Sequence, residues 1–507
     1  MADLKALIVI LALSVPVFLI ARAPACEFAN EKADFDRRRN LWIGITLLAF
    51  VAHSFWIYVT GAVLLVAFAA QRETNRLALF VALMMAVPAF SEIIPGIGGI
   101  RQIISLTHVR MLSIVLLLPA YLAIRRQPEV LPFGRTAADM CLLGYVVLQL
   151  VLQVSIASFT AISRSAIYSF TDVFLPYYVA SRGLRDLRAY RDTLMAMVFA
   201  VVLMAPVAVF EYVRHWLLYS AMAGAMGVNS AMGAYMTRSD SLRAVVTAEH
   251  SIVLGYLATL ALGLFIFVRG SISSRTISAL ALSLLLATLI ASGARGPWLG
   301  AAAAFVVVLL SGPDKLNRAF KAALVAVPVI AVLSFTEFGQ RLFAVLPFIG
   351  TSETGSLDYR QRLFDISIPV ILQSPWFGAF DYLVNPAMQE LIQGDGIIDV
   401  VNTFLGVALT FGMVGLSLFC GVFMFAGWSV WAALRRTHPR SDLNLLGRAL
   451  LATLIGTLVT IVSVSSIGVI PLVYWMLAGF CVGYARLAPQ PEGAATAAQV
   501  TGLRFRA

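Results

Sequence analysis

The chain has 507 residues, of which 60% are hydrophobic and 12% charged, and its mean hydropathy is +0.88. This composition excludes an ordinary soluble globular domain. Apolar runs of about 17 to 25 residues, long enough to cross a hydrocarbon core, recur along the chain, and they predict an integral membrane protein. The net charge of +11 is typical of a polytopic protein with basic cytoplasmic loops, so it indicates no nucleic-acid partner.

Because a segment in lipid must satisfy its own backbone hydrogen bonds, the spans are predicted to be helices. We predict an all-α polytopic fold with about 12–14 transmembrane helices. The stretch 41–70 could be one tilted helix or a tight hairpin, which leaves the side of the N-terminus open. Cys26, Cys141, Cys420 and Cys481 show no ligand spacing, so neither a metal site nor a disulfide framework is predicted. The predicted spans lie near 4–21, 41–70, 77–93, 109–124, 139–157, 165–181, 193–213, 251–268, 276–292, 297–311, 321–335, 401–433, 446–464 and 469–486.

The charges of the connectors predict the orientation. Arginine and lysine are concentrated in RRQPEVLPFGR, SRGLRDLRAYR, VRGSISSR, SGPDKLNRAFK and LRRTHPRSDLNLLGR, which are therefore predicted to be cytoplasmic. The spans between them then place both longest loops on the periplasmic face of a bacterial inner membrane. The predicted regions are 1–335, transmembrane helices with a periplasmic loop near 213–250; 336–400, a large, partly helical periplasmic loop; 401–486, C-terminal transmembrane helices; and 487–507, a cytoplasmic disordered tail.

Four arginines on the predicted outer side are candidate ligands of a phosphate. Arg243 lies in SDSLRAVVTAEH, Arg295 in IASGARGPWLG, and Arg360 and Arg362 in GSLDYRQRLFD. Each could instead snorkel, contact lipid phosphates or form a solvated helix face. The functional hypothesis is that they converge, because the planar guanidinium group binds phosphate through two hydrogen bonds.

The same predicted face carries groups that could transfer a proton. Glu249 and His250 begin a span, where Glu249 could be a first-turn acid and His250 a buried hydrogen-bonding residue. Asp399 and Asn402 precede a long apolar run, where Asp399 could be an ordinary loop acid and Asn402 a helix N-cap. Gly412 and Gly415, further along this run, permit close helix contact.

The spacing of these last residues resembles the bacterial O-antigen ligase and polymerase superfamily. The ligases carry His-Asn, nine residues and then Gly-x-x-Gly, and here Asn402 is followed by nine residues and Gly412-Met-Val-Gly415, with Val401 in the place of the histidine. Three further segments are similar to family motifs, and the resemblance extends from Arg243 to Leu418. They are LRAVVTAEHSIVLGYL, SGARGPWLG and YRQRLFDISIPVILQSPWFGAF.

The resemblance implies a GT-C-like membrane glycosyltransferase that uses a polyprenyl-diphosphate-linked oligosaccharide. The four arginines would hold the diphosphate without a metal or cofactor, and a carboxylate would remove the proton of the acceptor hydroxyl. Because Val401 replaces the ligase histidine, Asp399 is the first candidate base, and Glu249 and His250 are the second choices. Asn402, Gly412 and Gly415 would support the site. The further partners expected are a glycan or lipid acceptor, membrane lipids and other polysaccharide assembly proteins.

Polymerisation of O-antigen or exopolysaccharide repeats is the preferred activity, because the ligase histidine is missing. The alternatives are a ligase that transfers glycan to lipid A core or another acceptor, and a non-catalytic relative that binds lipid-linked glycan. A flippase or secondary transporter is the alternative of another class. Breaks and charges that gather at the outer face favour surface chemistry over transport.

Overall fold

The computed structural model describes residues 2–28, 32–96, 98, 102–228, 235–238, 241–312, 354–393 and 396–489, with the single positions 315, 317, 324, 334 and 336. All but two positions of the predicted span 321–335, residues 337–353 of the large loop and residues 490–507 of the predicted tail lie outside this set. The described residues are mainly helical, which confirms the all-α polytopic membrane fold.

Two short antiparallel hairpins interrupt the helices of the N-terminal half. The elements are α1 (Ala2–Phe28), α2 (Lys32–Val51), α3 (Phe55–Ala70), α4 (Arg76–Met84), β1 (Ser91–Pro95), β2 (Gln102–Thr107), α5 (His108–Arg125), α6 (Ala137–Gln153), α7 (Phe159–Tyr168), α8 (Leu175–Gly183), α9 (Leu187–Arg214), α10 (Ser220–Met226), β3 (Thr237–Arg238) and β4 (Ser241–Leu242). The hairpins pair β1 with β2 and β3 with β4. A π-helical turn lies inside α5 and another joins α7 to α8.

The C-terminal half contains the helices that surround the candidate site. These are α11 (Ser251–Val268), α12 (Arg275–Ser292), α13 (Arg295–Ser311), α14 (Thr354–Gln373), α15 (Pro386–Gln389), α16 (Thr403–Leu434), α17 (Asp442–Val462) and α18 (Ile470–Leu487). In the described part of the chain, α1, α5, α9, α11, α12, α16, α17 and α18 are long and apolar enough to span a bilayer, and α3, α6 and α13 are shorter apolar helices.

Two predicted spans differ from the observed elements. The stretch 41–70 is divided between α2 and α3, with His53 at a left-handed φ of 48°, so the hairpin alternative applies. The predicted span 77–93 is helical only as far as Met84. The ring of Pro88 would clash with the carbonyl group of Met84 in a continued helix, which explains the early end.

Small residues at two helix crossings bring the functional segments together. Where α13 crosses α17, a Cβ added to Gly300 would lie 2.5 Å from the Gly456 carbonyl oxygen. Where α11 meets α13, a Cβ on Gly255 would lie 3.0 Å from Pro297 Cγ, and Thr259 Oγ1 donates a hydrogen bond to the Pro297 carbonyl at 2.7 Å. These close approaches place the first turns of α11 and α13 beside the last turn of α17.

Candidate functional site

The segment between α17 and α18, SVSSIGV, is the structural centre of the candidate site, and we call residues Ser463 to Val469 the serine connector. Arg360 Nη2 of α14 donates to the Ser463 carbonyl at 3.1 Å. Ser465 Oγ donates to Asp399 Oδ1. Thr403 Oγ1, in the first turn of α16, donates to the Val464 carbonyl at 2.9 Å. One connector therefore joins the helix of the large loop, the acid before α16 and α16 itself.

Arg295 opens α13 against the same connector. Its neighbour Gly296 packs so closely that an added Cβ would lie 2.3 Å from Ser463 Oγ and 3.0 Å from Val464 Cγ2. The Arg295 side chain is half-buried. Ser463 therefore contacts both the first turn of α13, which carries Arg295, and the Arg360 side chain.

Arg243 reaches the site from the segment that follows β4. Its Nε donates to the Ser292 carbonyl at 3.2 Å, and its side chain packs on Gly293, which has a φ of 58°. Both contacts lie within three residues of Arg295. The structure therefore places Arg243, Arg295 and Arg360, all half-buried, along one continuous set of contacts.

Arg362 is separated from these three arginines. Residues two positions apart on a helix point about 200° apart, and Arg362 is exposed and donates to the Glu390 carbonyl at 3.5 Å. The structure brings together three of the four predicted diphosphate ligands.

Asp399 lies beside Arg360. The hydroxyl of Tyr359 donates to the Asp399 carbonyl at 2.9 Å, while the half-buried Asp399 carboxylate accepts the hydrogen bond of Ser465. Asn402 is the N-cap of α16, and its side chain accepts from the Leu405 N–H at 3.1 Å. The predicted capping role of Asn402 is therefore present. The Asp399 carboxylate binds the same serine connector as Arg360.

Glu249 approaches the connector from the α11 side. A Cβ built on Gly468 would lie 3.5 Å from Glu249 Oε2. Glu249 has a φ of 67°, a strained value for a residue with a side chain. Burial raises the pKa of its carboxyl group above the usual value. A carboxylate so perturbed is a candidate acid or base.

His250 has a structural task that restricts it as a base. It is the N-cap of α11, where Nδ1 accepts from the Ile252 N–H at 3.1 Å. Burial, with a smaller contribution from the charge of Arg243, lowers its pKa to about 4. The ring is then neutral at pH 7, and the cap assigns the proton to Nε2. His250 can therefore act through Nε2 only as a hydrogen-bond donor.

Gly412 and Gly415 support the large loop and the helix packing. Gly412 breaks α16 with φ 63° and ψ −165°, and a Cβ there would lie 2.4 Å from the Trp376 carbonyl. The loop that follows α14 docks in this break, where the amides of Met413 and Val414 donate to the carbonyls of Pro375 and Trp376 at 2.8 and 3.1 Å. Gly415 accommodates Phe411, and its α-carbon faces Leu148 of α6. At Gly415 the closest contact is with Phe411 of the same helix, and the contact with α6 is at an ordinary distance, whereas Gly412 packs against the backbone of the loop.

Sequence reasoning missed the serine connector and Glu211. The buried Glu211 carboxylate, near the end of α9, accepts backbone N–H groups of Leu218, Val245 and Val246 at 2.9 to 3.1 Å. It thereby fixes the segment that carries Arg243. The available signals were an ionisable residue inside a predicted span and three serines between two apolar runs.

The described residues contain no group of three or more His, Cys, Asp or Glu side chains that could hold a metal ion. The arrangement places three arginines and two carboxylates around the serine connector of a polytopic helical membrane protein. Residues 279–420 match a family model described as O-antigen ligase, which confirms the resemblance to the O-antigen ligase and polymerase superfamily and supports a membrane glycosyltransferase. The match covers less than a third of the chain, including Arg295, Arg360 and Asp399. A search of curated proteins gave no match.

Proposed function

We propose that the protein polymerises polyprenyl-diphosphate-linked oligosaccharide repeats of an O-antigen or exopolysaccharide at the periplasmic face of the inner membrane. The observation that carries this proposal is the chain of contacts that links three arginines to the serine connector: Arg243 binds the turn just before Arg295, Gly296 next to Arg295 packs on Ser463, and Arg360 binds the Ser463 carbonyl. Asp399 is bound to Ser465 of the same connector. The guanidinium groups of Arg243 and Arg360 are each fixed by a backbone carbonyl, which preorganises them for a diphosphate.

The surface next to Arg360 supports a lipid-linked donor. Residues four apart lie on one stripe of a helix, and Phe364, Ile368 and Leu372 continue the stripe of Arg360 along α14. Their exposed fractions are 54%, 38% and 68%. A cationic group followed by an exposed apolar stripe matches a molecule with a diphosphate head and a hydrocarbon tail.

The proposed reaction breaks the bond between the anomeric carbon and the diphosphate oxygen. An acceptor hydroxyl attacks the anomeric carbon from the opposite side, so the configuration inverts. Its proton passes to the Asp399 carboxylate, and the polyprenyl diphosphate leaves with the electron pair of the broken bond. The three arginines stabilise the charge that develops on this leaving group. Glu249 is the second candidate base. Its raised pKa makes its carboxylate a stronger proton acceptor than that of an ordinary glutamate.

The ligase activity is the second candidate function, and the O-antigen ligase match favours it. Val401 favours the polymerase, because its side chain cannot accept a proton. Val401 is half-buried and packs with the apolar cluster formed by α14, α15 and the first turns of α16. A different residue must therefore act as the base in either activity.

A deletion strain distinguishes the two activities. Loss of a polymerase leaves single repeats on the final lipid anchor, whereas loss of a ligase leaves polymer on the polyprenyl carrier. Unchanged glycan combined with altered uptake of a small solute would indicate a transporter.

Complementation with Arg243→Ala and Arg295→Ala tests the arginine site. Both variants should lose long-chain glycan at normal membrane levels, and Arg362→Ala is the matched control because its side chain points elsewhere. Full-length glycan from both of the first two variants would contradict the proposal.

A further inference from the structure

A second cationic region lies at the other end of the helix bundle. An open cavity of about 550 Å³ is lined by the connector between α5 and α6, the end of α8 and the end of α18. Arg486 lines it and lies 16 residues after Ile470, the first residue of α18. At 1.5 Å per residue this separates it from the serine connector by about 24 Å. The cavity is therefore distinct from the glycosyl-transfer site.

Tight packing of α8 on α18 forms the back of this cavity. A Cβ on Gly479 would lie 2.5 Å from the Tyr177 carbonyl, and one on Gly483 would lie 3.1 Å from the Ser181 carbonyl. Tyr190 Oη also donates to the Phe480 carbonyl at 2.8 Å. These contacts hold the two helix ends together, so the shape of the cavity is fixed by backbone.

The innermost charge of the cavity is already neutralised. Arg182 is buried and forms an ion pair with Asp139 at 2.6 Å, and it also donates to the carbonyls of Leu131 and Pro132 at 3.4 and 3.5 Å. This pairing fixes the connector between α5 and α6 against α8. Arg182 therefore forms the rigid wall of the cavity.

Two further arginines supply an excess of positive charge at the opening. Arg185 and Arg486 are exposed, and their hydrogen bonds go to the neutral Gln127 side chain and to the Ser181 carbonyl, the latter at 3.3 Å. Among the described residues, neither forms an ion pair with a carboxylate, and Glu129 is the acidic residue in the cavity lining. The charge of the lining is thus positive.

Arginines at helix C-termini also complement the helix dipole. That role requires no cavity, whereas this volume falls in the range of about 300–1,000 Å³ that small-molecule sites occupy. We propose that the cavity binds a phosphate-bearing anion through Arg185 and Arg486, at the face opposite the glycosyl-transfer site. The phosphate could come from the headgroup of an anionic lipid or from a soluble molecule, since basic pockets between transmembrane helices bind such headgroups.

The test measures binding to the purified full-length protein in detergent. The probes are phosphatidylglycerol, zwitterionic phosphatidylcholine and inorganic phosphate, and the readouts are native mass spectrometry for the lipids and thermal shift for phosphate. The double variant Arg185→Gln with Arg486→Gln should weaken binding of the phosphate-bearing probe about thirty-fold, since each arginine near a phosphate contributes about five-fold. Both side chains are exposed, so folding should be unaffected.

Two controls locate the effect. Arg440→Gln removes an exposed arginine from another connector, and Arg360→Ala removes a ligand of the glycosyl-transfer site. Binding of phosphatidylglycerol but not inorganic phosphate, lost only in the double variant, supports the lipid headgroup, and the reverse preference supports a soluble anion. Equal binding by the double variant and the unchanged protein, or an equal loss in Arg440→Gln, would overturn the proposal.

Discussion

The break in α16 at Gly412 allows a quantitative prediction about the large loop. Gly412→Ala would place a Cβ 2.4 Å from both the carbonyl carbon and oxygen of Trp376 and 2.5 Å from the Phe377 nitrogen. These are backbone atoms that cannot rotate away. The φ of 63° and ψ of −165° also belong to a region adopted almost only by glycine.

The cost follows from strain and lost hydrogen bonds. The backbone strain amounts to about 2 kcal/mol. Three backbone hydrogen bonds of 2.8 to 3.1 Å join the loop to α16. The amides of Met413 and Val414 in α16 donate to loop carbonyls, and the amide of Ala379 in the loop donates to the Leu409 carbonyl. Each contributes about 1 kcal/mol. We therefore expect Gly412→Ala to destabilise docking of the loop by about 5 kcal/mol.

Hydrogen exchange of the Met413 and Val414 amides measures this docking directly. Loss of the three hydrogen bonds alone should accelerate exchange at least about a hundredfold, since each 1.4 kcal/mol is a factor of ten. Gly406→Ala is the matched control, because Gly406 lies in the same helix and an added Cβ would meet Val400 Cγ1 at an ordinary 3.7 Å. Alanine there should be favourable by about 1 kcal/mol. Exchange and glycan synthesis at unchanged levels in Gly412→Ala would refute the reasoning.

Three further predictions concern the site and its support. Arg360→Ala should lower the rate of glycosyl transfer about a hundredfold, as expected on removal of one preorganised donor to a leaving group. The rate of Arg362→Ala should remain within about twofold of the unchanged protein. Equal losses of both variants in a transfer assay would contradict the assignment of Arg360, and not Arg362, to the site. For His250, whose pKa falls from 6.5 to about 4 on folding, stability in a thermal melt should decline as the pH falls through this interval, because the unfolded chain binds the proton first. His250→Asn, which keeps an N-cap acceptor, should remove that pH dependence, and persistence of the decline would assign it to another group. Glu211→Gln replaces one acceptor oxygen by a donor opposite backbone N–H groups, so it should destabilise the protein by about 1–3 kcal/mol and reduce transfer, whereas an unchanged melting temperature would show that this carboxylate is dispensable.

Several features of the site follow from short stretches of sequence. The capping role of Asn402 depends on the N–H group three residues later, and the prediction that the arginines share one face depends on hydropathy and connector charge. The separation of Arg362 from Arg360 also follows from helical periodicity once 354–373 is taken as a helix. These features are local, so the chain itself specifies them.

The tertiary structure alone decided which groups meet. Arg360 reaches Ser463 across 103 residues, Asp399 reaches Ser465 across 66, and Thr403 reaches Val464 across 61. The glycines that permit these encounters act through contacts with other helices, as Gly300 does with Gly456. By itself the sequence determined a polytopic helical protein with cationic and acidic groups at helix ends, because hydropathy and capping act between near neighbours. The assignment of three arginines to one site required the packing of α11, α13 and α17, since close approach of helices depends on side chains far apart in the chain.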